Sequence, residues 1–289
     1  MGKIAIVTDS SAGLPRELIA AANLHIVPIG VQINHRPYRE GVDLPADSFY
    51  AQLDSAHVST SQPAPGDFLA VYKRLAQKAK EIISIHVTGL GSGTVNTANL
   101  VKEMIAVPIS VVDSKTASMA QGFIALAAAH AAELGKTREE ILAIIEQVKE
   151  RTAIFVAVPT LKYLAKSGRI GSVQNLIASA LSIKPILGVK DGLVDVVAKV
   201  RSYPRALRRL ISLVERRFPH GRLNIAVLHT NALQEAEEFK EQISRRLDHI
   251  NIFIAEMSAS LAVHGGEGML GIAVCDCPNG LVDSVFARF

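Results

Sequence analysis

Glu81-Ile82-Ile83-Ser84-Ile85-His86-Val87-Thr88-Gly89-Leu90-Gly91-Ser92-Gly93-Thr94 is the stretch on which the reading of this 289-residue chain turns. Its first seven residues are mostly apolar and β-branched, with the length of a buried strand. A glycine-rich turn follows, and residues 95–105 have helix composition. Residues 107–112 form another β-branched run, ending at Asp113-Ser114. A strand, a tight turn, a helix and a second strand predict parallel pairing, because the helical crossover returns the chain to the end of the sheet where the first strand began.

The same alternation extends outward. Upstream, residues 3–7 are a strand ending at Thr8-Asp9-Ser10-Ser11, and Pro15 sits just inside a helix over 17–22. Residues 24–33 read as a second β run and 47–53 as a helix. Pro65-Gly66-Asp67 opens another helix, with Phe68, Leu69, Val71, Tyr72 and Leu75 along one side. Downstream, helices are expected over 118–134, which is apolar nearly all round and so a buried core helix, and over 138–150. This half is α/β, a Rossmann-like parallel sheet with helices on both faces. Such sheets bind ligands at polar turns after the strands. Three turns of that kind carry hydroxyls: 8–11, 88–94 and 113–114.

The second half is α+β. Strands are expected over 154–158, 224–228, 250–254 and 269–275, with helices over 161–166, 205–218 and 232–247. Residues 183–189 and 193–200 flank Asp191-Gly192, a hairpin signal. The domain boundary is placed at residue 157: an N-terminal α/β domain over 1–157, a C-terminal α+β domain over 158–289, and a ligand between them.

Composition narrows the function classes. At 49% apolar and 20% charged residues the chain is globular. The net charge of +4 is small, and much of the excess lies in 201–217, which predicts one basic patch rather than nucleic-acid binding. Met1-Gly2-Lys3 leads into a strand without a leader-type apolar run, and no apolar stretch suits a membrane helix. Cys275 and Cys277 are read as too close for a normal disulfide and without further metal-type partners, which points to the reducing cytoplasm.

Several segments carry chemistry. Backbone amides at the 89–94 turn favour an anion, and Ser92 and Thr94 add hydroxyls. The plainer reading is a strand-to-helix turn with Ser92 as N-cap. A dinucleotide reading places Asp113 on a ribose, but Thr94 stands where G-x-G-x-x-G needs its third glycine, and no Walker lysine follows. Residues 58–65 are rich in hydroxyls and proline and read as a loop, either a linker between helices or a segment facing Ser92 across a cleft. Arg169 lies between glycines, where it can swing onto an anion. His264 precedes Gly265-Gly266-Glu267-Gly268, which predicts a close backbone approach. No His/Asp/Glu group has zinc spacing, and there is no G-x-S-x-G elbow.

Thr8-Asp9-Ser10-Ser11, Thr60-Ser61-Gln62-Pro63, Ser92-Gly93-Thr94, Val112-Asp113-Ser114, the 166–171 loop with Arg169, and His264-Gly265-Gly266 occur in this order. The ordered set resembles the DegV family over nearly the whole chain. The pattern departs at Thr88-Gly89-Leu90-Gly91, where the family has a Ser-Ser-x-Leu-type run, and at Gly265-Gly266-Glu267-Gly268, where it has Gly-Pro-Gly.

The resemblance implies one long-chain fatty acid, such as palmitate, stearate or oleate, in a buried tunnel between two domains. Thr60, Ser92 and His264 would take its carboxylate, with Ser61, Gly93, Thr94, Arg169, Ser10 and Asp9 nearby. It implies no cofactor and no catalysis by the chain itself. A separate fatty acid kinase would phosphorylate the presented acid for phospholipid synthesis, with Arg201, Arg205, Arg208 and Arg209 as the partner surface. Transient contact with a membrane or an acyltransferase belongs to the same expectation.

The physics is consistent with a carrier. Burial of about sixteen carbons stabilises by roughly 12 kcal/mol before ordering costs, so the head group needs only to avoid an unpaired charge. An acyl hydrolase or transferase acting alone would need a base beside Ser92 or Thr60, and His264 is the candidate.

Overall fold

The structure is a computed structural model that describes residues 4–167 and 183–277 together with positions 280, 282 and 286. In chain order its elements are β1 (Ile4–Asp9), α1 (Arg16–Ala21), β2 (His25–Val27), β3 (Gly30–Ile33), β4 (Arg36–Arg39), α2 (Ala46–Tyr50), β5 (Val58–Ser61), α3 (Pro65–Ala76), β6 (Glu81–His86), α4 (Thr94–Lys102), β7 (Ile109–Asp113), α5 (Ser118–Glu133), α6 (Arg138–Glu150), β8 (Thr152–Ala157) and α7 (Lys162–Ser167). After residue 182 come β9 (Lys184–Lys190), β10 (Leu193–Val200), α8 (Tyr203–Arg217), β11 (Leu223–His229), α9 (Leu233–Ser244), β12 (His249–Glu256), α10 (Ala259–Gly265) and β13 (Leu270–Cys275).

The first sheet is parallel throughout, in the order β2-β1-β6-β7. Its strands alternate between two cores, as a period of two requires. Ile82 faces Phe68, Tyr72 and Ala98 of α3 and α4. Ile83 and Ile85 face α5. The second sheet has the order β10-β9-β8-β13-β11-β12 and is antiparallel except for β11 and β12. On its inner face Ile154, Ala226, Leu228 and Ala273 join the α5 core. On its outer face Ile225, Val227, Ile272 and Val274 are covered by α8 and α9.

Helix α5 therefore packs against both sheets, touching β1 on one side and β8 and β13 on the other. That is why Ser118 to Ala129 are buried without a polar face. Strand β8 belongs to the second sheet. Among the described residues no helix is long and apolar enough to cross a membrane.

Two local readings need correction. The β run over 24–33 is two strands broken at Pro28, which has no N–H for the ladder. After the break, β3 leaves the parallel sheet and forms an antiparallel sheet of order β4-β3-β5. Residues 58–61, read as loop, are therefore an edge strand, with Thr60 opposite Val31. His264 lies on α10, which packs Ala262 and Val263 against Val31, Ile33 and Phe49.

Cys275 and Cys277 are joined in a disulfide, their Cα atoms 5.3 Å apart. Residues two apart project to the same side of a strand, and the chain leaves β13 just after Cys275, so the two side chains converge. The pair therefore gives no argument for a reducing compartment.

Candidate functional site

Strands β1 and β6 are neighbours, but the chain leaves β1 toward β2 and leaves β6 toward β7. Such a switch point opens a crevice at the carboxyl ends of the two strands. One residue organises it. Asp9 is fully buried. Its Oδ2 accepts from His86 Nδ1 (2.9 Å), the Val87 amide (3.0 Å) and Gln121 Nε2 (3.1 Å). Its Oδ1 accepts from the Ser11 amide (3.1 Å) and the Ser11 hydroxyl. Burial pushes the Asp9 carboxyl up, but the His86 imidazole and the Ser11 and Val87 bonds outweigh it and hold the group below the ordinary carboxylate value. One carboxylate thus pins the 8–11 turn and the entry to the 88–94 turn.

Behind Asp9 the bonds run deeper. With Nδ1–H on Asp9, His86 Nε2 accepts from the Ser84 hydroxyl (2.6 Å), which accepts in turn from Tyr72 OH (2.8 Å). Ser84, His86 and Tyr72 are all fully buried.

The glycine-rich turn is tied at both ends. Asp113 Oδ2 accepts from the Gly89 amide (3.1 Å) and Oδ1 from the Lys115 amide (2.8 Å). Each oxygen thus holds one backbone amide. Gly93, not Ser92, is the N-cap of α4. Ser92 Oγ lies 2.8 Å from Thr94 Oγ1 and accepts from the Thr94 amide at 3.3 Å. From the second sheet, the β9–β10 turn closes over this segment, with Thr88 Oγ1 donating to the Gly192 carbonyl at 2.7 Å. Asp191 and Gly192 have φ of 51° and 85°, the left-handed pair that a two-residue hairpin turn requires.

The third contributor is the small sheet. The Gln62 carboxamide, one residue past β5, fills the space beside Gly93 where a side chain would stand. This contact brings the end of β5 against the Ser92-Gly93-Thr94 turn. Two residues earlier, Thr60 Oγ1 lies 3.1 Å from His264 Nε2. Both are partly exposed. The glycines after His264 do mark close approaches: Met269 packs on Gly265 and the Tyr163 ring on Gly266. Tyr163 OH in turn donates to Asp54, which also pairs with Lys162 at 2.8 Å.

Ser10 reaches the same region from the first turn. Its hydroxyl donates to Glu40 and accepts from the Ile29 amide at 2.9 Å. Glu40 also accepts from Ser260 on α10, at 2.5 Å from the amide and 3.0 Å from the hydroxyl. Burial pushes the Glu40 carboxyl above the usual range, against the pull of these bonds.

The expected residues thus divide into groups. Thr60 and His264 meet directly, and Gln62, just past the strand of Thr60, reaches the turn of Ser92, Gly93 and Thr94. Asp9 and Ser10 hold the loops from behind. Ser61 is exposed and opposes Gly30 across the strand pair. Arg169 lies outside the described residues. Arg205, Arg208 and Arg209 project from α8, on the face of the second sheet away from α5, with Arg201 just before that helix. None of these four arginines makes an ion pair among the described residues. Glu40, Gln121, Ser260 and Tyr163 have structural roles that the sequence reading missed. Their partners are far away in the chain and no local pattern marks them. No cluster of three or more metal-ligating side chains occurs among the described residues.

Comparison with known proteins agrees with this architecture. The family described as "Uncharacterised protein, DegV family" matches residues 3–276. A DegV domain-containing protein of Streptomyces coelicolor is 34% identical over 274 residues, covering 94% of this chain and 98% of its own. Protein DegV of Bacillus subtilis is 32% identical over 277 residues, covering 94% and 99%. The crystal structure of the B. subtilis protein, described as a fatty acid binding protein, superposes with a TM-score of 0.87 at 32% identity, covering 95% of this chain and 99% of that one. A Thermus thermophilus protein, described by its fatty acid binding, superposes at 0.89 with 27% identity, covering 94% and 99%. On the family match and on relatives this similar over their full length, the chain belongs to the DegV family.

Proposed function

We propose that this chain binds one long-chain fatty acid between its N-terminal domain (1–157) and C-terminal domain (158–289), with the carboxylate at Thr60, Ser92 and His264. The observation that supports this most is the meeting of β5 with the two other segments: Thr60 beside His264, and Gln62 packed on the Ser92 turn. Hydroxyls and helix-start amides at one edge of an apolar core suit a carboxylate whose tail is buried. The fatty acid binding of the T. thermophilus and B. subtilis relatives supports the same ligand class.

In this reading the chain is a carrier and not a catalyst. A hydroxyl cradle leaves one carboxylate oxygen open, as a partner fatty acid kinase would need. The exposed arginines Arg205 and Arg208, with Arg201 and Arg209, offer that partner a basic surface.

Mass spectrometry of an organic extract tests the ligand, and a stoichiometric C14–C18 acid is expected. Thr60→Ala and Ser92→Ala should each weaken acid binding by about 1–3 kcal/mol, or roughly 5- to 150-fold. Full affinity in both variants would remove the head-group assignment. Arg205→Glu with Arg209→Glu should slow acyl-phosphate formation by an added kinase and leave acid binding intact. A fall in both would make the patch structural.

A further inference from the structure

Glu40 is the acid between β4 and α2, only 6% exposed, and its carboxylate joins segments that are distant in the chain. One oxygen accepts from the Ser10 hydroxyl and the Ser260 hydroxyl, and the other from the Ser260 amide. The Glu40 amide is itself fixed on the Ile29 carbonyl at 2.9 Å. Ser260 is the second residue of α10, so the carboxylate satisfies a first-turn amide that has no partner within the helix.

The other end of α10 carries His264, which meets Thr60 of β5. Glu40 directly follows β4 and Thr60 lies on β5, so both are carried by one small sheet: Gly30 of β3 pairs with Arg39 on one side and with Ser61 on the other. That sheet therefore grips α10 at both ends, by the carboxylate at the start and by the hydroxyl–imidazole contact at the finish. Between the grips Ala262 and Val263 pack on Val31 and Ile33. Apolar packing is non-directional and specifies no atom-to-atom partner. Hydrogen bonds do not, and a 3.1 Å contact is lost within a few tenths of an ångström beyond the usual range. The apolar contacts hold α10 down, and Glu40 sets its register.

We infer that Glu40 is a positioning residue for the candidate site, and that it fixes where His264 meets Thr60 by holding Ser10 and the first turn of α10 on one carboxylate. Its consequence for binding rests on the head-group reading proposed above. The contact itself does not, so the two are separable. The first measurement is the ¹⁵N-histidine NMR spectrum of the ligand-free protein, with the His264 signal assigned by His264→Gln. In Glu40→Ala the His264 ring resonances should move. In Glu40→Gln, whose amide still offers one acceptor, they should move less. Glu40→Gln also carries the test should the alanine variant fail to fold.

The second measurement is oleate affinity. Glu40→Ala should weaken it about tenfold, and adding it to Thr60→Ala should cost no more than about twofold further, because both act through one contact. Unchanged His264 resonances in folded Glu40 variants would overturn the positioning role. So would full additivity of Glu40→Ala with Thr60→Ala. Shifted resonances with unaltered oleate affinity in both Glu40→Ala and Thr60→Ala would uphold the positioning and sink the head-group reading.

Discussion

Replacing Asp9 by Asn changes one atom and the charge, and the structure sets the cost. Asp9 takes five hydrogen bonds, three on Oδ2 and two on Oδ1. Asparagine keeps one oxygen. If that oxygen stays with Ser11, its amide group faces three donors. His86 can relieve one conflict by moving its proton to Nε2, which then disturbs the bond to Ser84. The Val87 amide and Gln121 Nε2 remain opposed, both out of water. Each unsatisfied buried donor costs about 1–3 kcal/mol, and breaking a buried pair costs about 3–5 kcal/mol. We expect Asp9→Asn to lose about 3–5 kcal/mol, a large share of the 5–15 kcal/mol typical of a folded protein.

Urea unfolding at pH 7 measures this, read as a lower midpoint at constant slope. Acid supplies an internal check. The folded Asp9 carboxyl is held below its ordinary value of 3.8, so its contribution is complete above that value and lost as pH falls through the folded one. The gap between wild type and variant should therefore close in acid. A loss under about 1 kcal/mol at pH 7, or a gap that widens in acid, would refute the account of Asp9 as the pin of both turns.

Three further outcomes follow from other positions. Gly266→Ala should cost about 2–4 kcal/mol, because φ 87° with ψ −177° is a region kept to glycine and a methyl group there meets the Tyr163 ring. Gly135→Ala, with φ 74° and open space around it, should cost only about 1 kcal/mol, and thermal melts of the pair separate backbone strain from collision. Burial holds the His229 imidazole below its ordinary value of 6.5, and its Nδ1 accepts from the Ala232 amide at 3.3 Å. Its stabilising contribution is thus full above pH 6.5 and declines as pH falls, so His229→Asn should flatten the stability profile between about pH 7 and 5. Thr88→Val leaves the buried Gly192 carbonyl without its partner and should speed amide exchange at the β9–β10 tip, with a stability loss of about 1–3 kcal/mol.

What could be read from the chain depended on how local its cause was. Strand β6 and helix α5 were legible to within a few residues, because each carries its own signal: a β-branched run in one, uniform apolarity in the other. The Asp191-Gly192 turn was legible because two left-handed residues in a row need that chemistry. Strand β4, Arg36–Arg39, has proline and two exposed arginines and no alternation, and it exists because β3 offers it a partner. Helix α10 has only seven residues, too few to be stable alone, and is held by the packing of Ala262 and Val263. The hydroxyls of 58–61 disguised an edge strand as a linker. Thr60 and Ser92 stood out as candidates by residue type. Glu40 did not, since its partner Ser260 is 220 residues away.

Ser84–His86 and Thr60–His264 are both hydroxyl–imidazole pairs, and they differ in their surroundings. Ser84, His86 and Asp9 have the order and spacing of a serine hydrolase triad, with 2.6 Å from Ser84 Oγ to Nε2 and 2.9 Å from Nδ1 to the carboxylate. All three are fully buried, and Tyr72 OH occupies a lone pair of the serine oxygen. A nucleophile there has no path to a carbonyl carbon, so the triad is spent on rigidity. It fixes the ends of β1 and β6, from which the 8–11 and 88–94 turns spring. Thr60 and His264 have the opposite character: partly exposed, beside the glycine-rich turn, and joined across 204 residues. The hydrolase-like geometry is fully buried, and the partly exposed pair is the one the proposed carrier would use for a carboxylate. Under the proposed carrier function such a division of labour is useful, since cargo must be held firmly and left chemically intact.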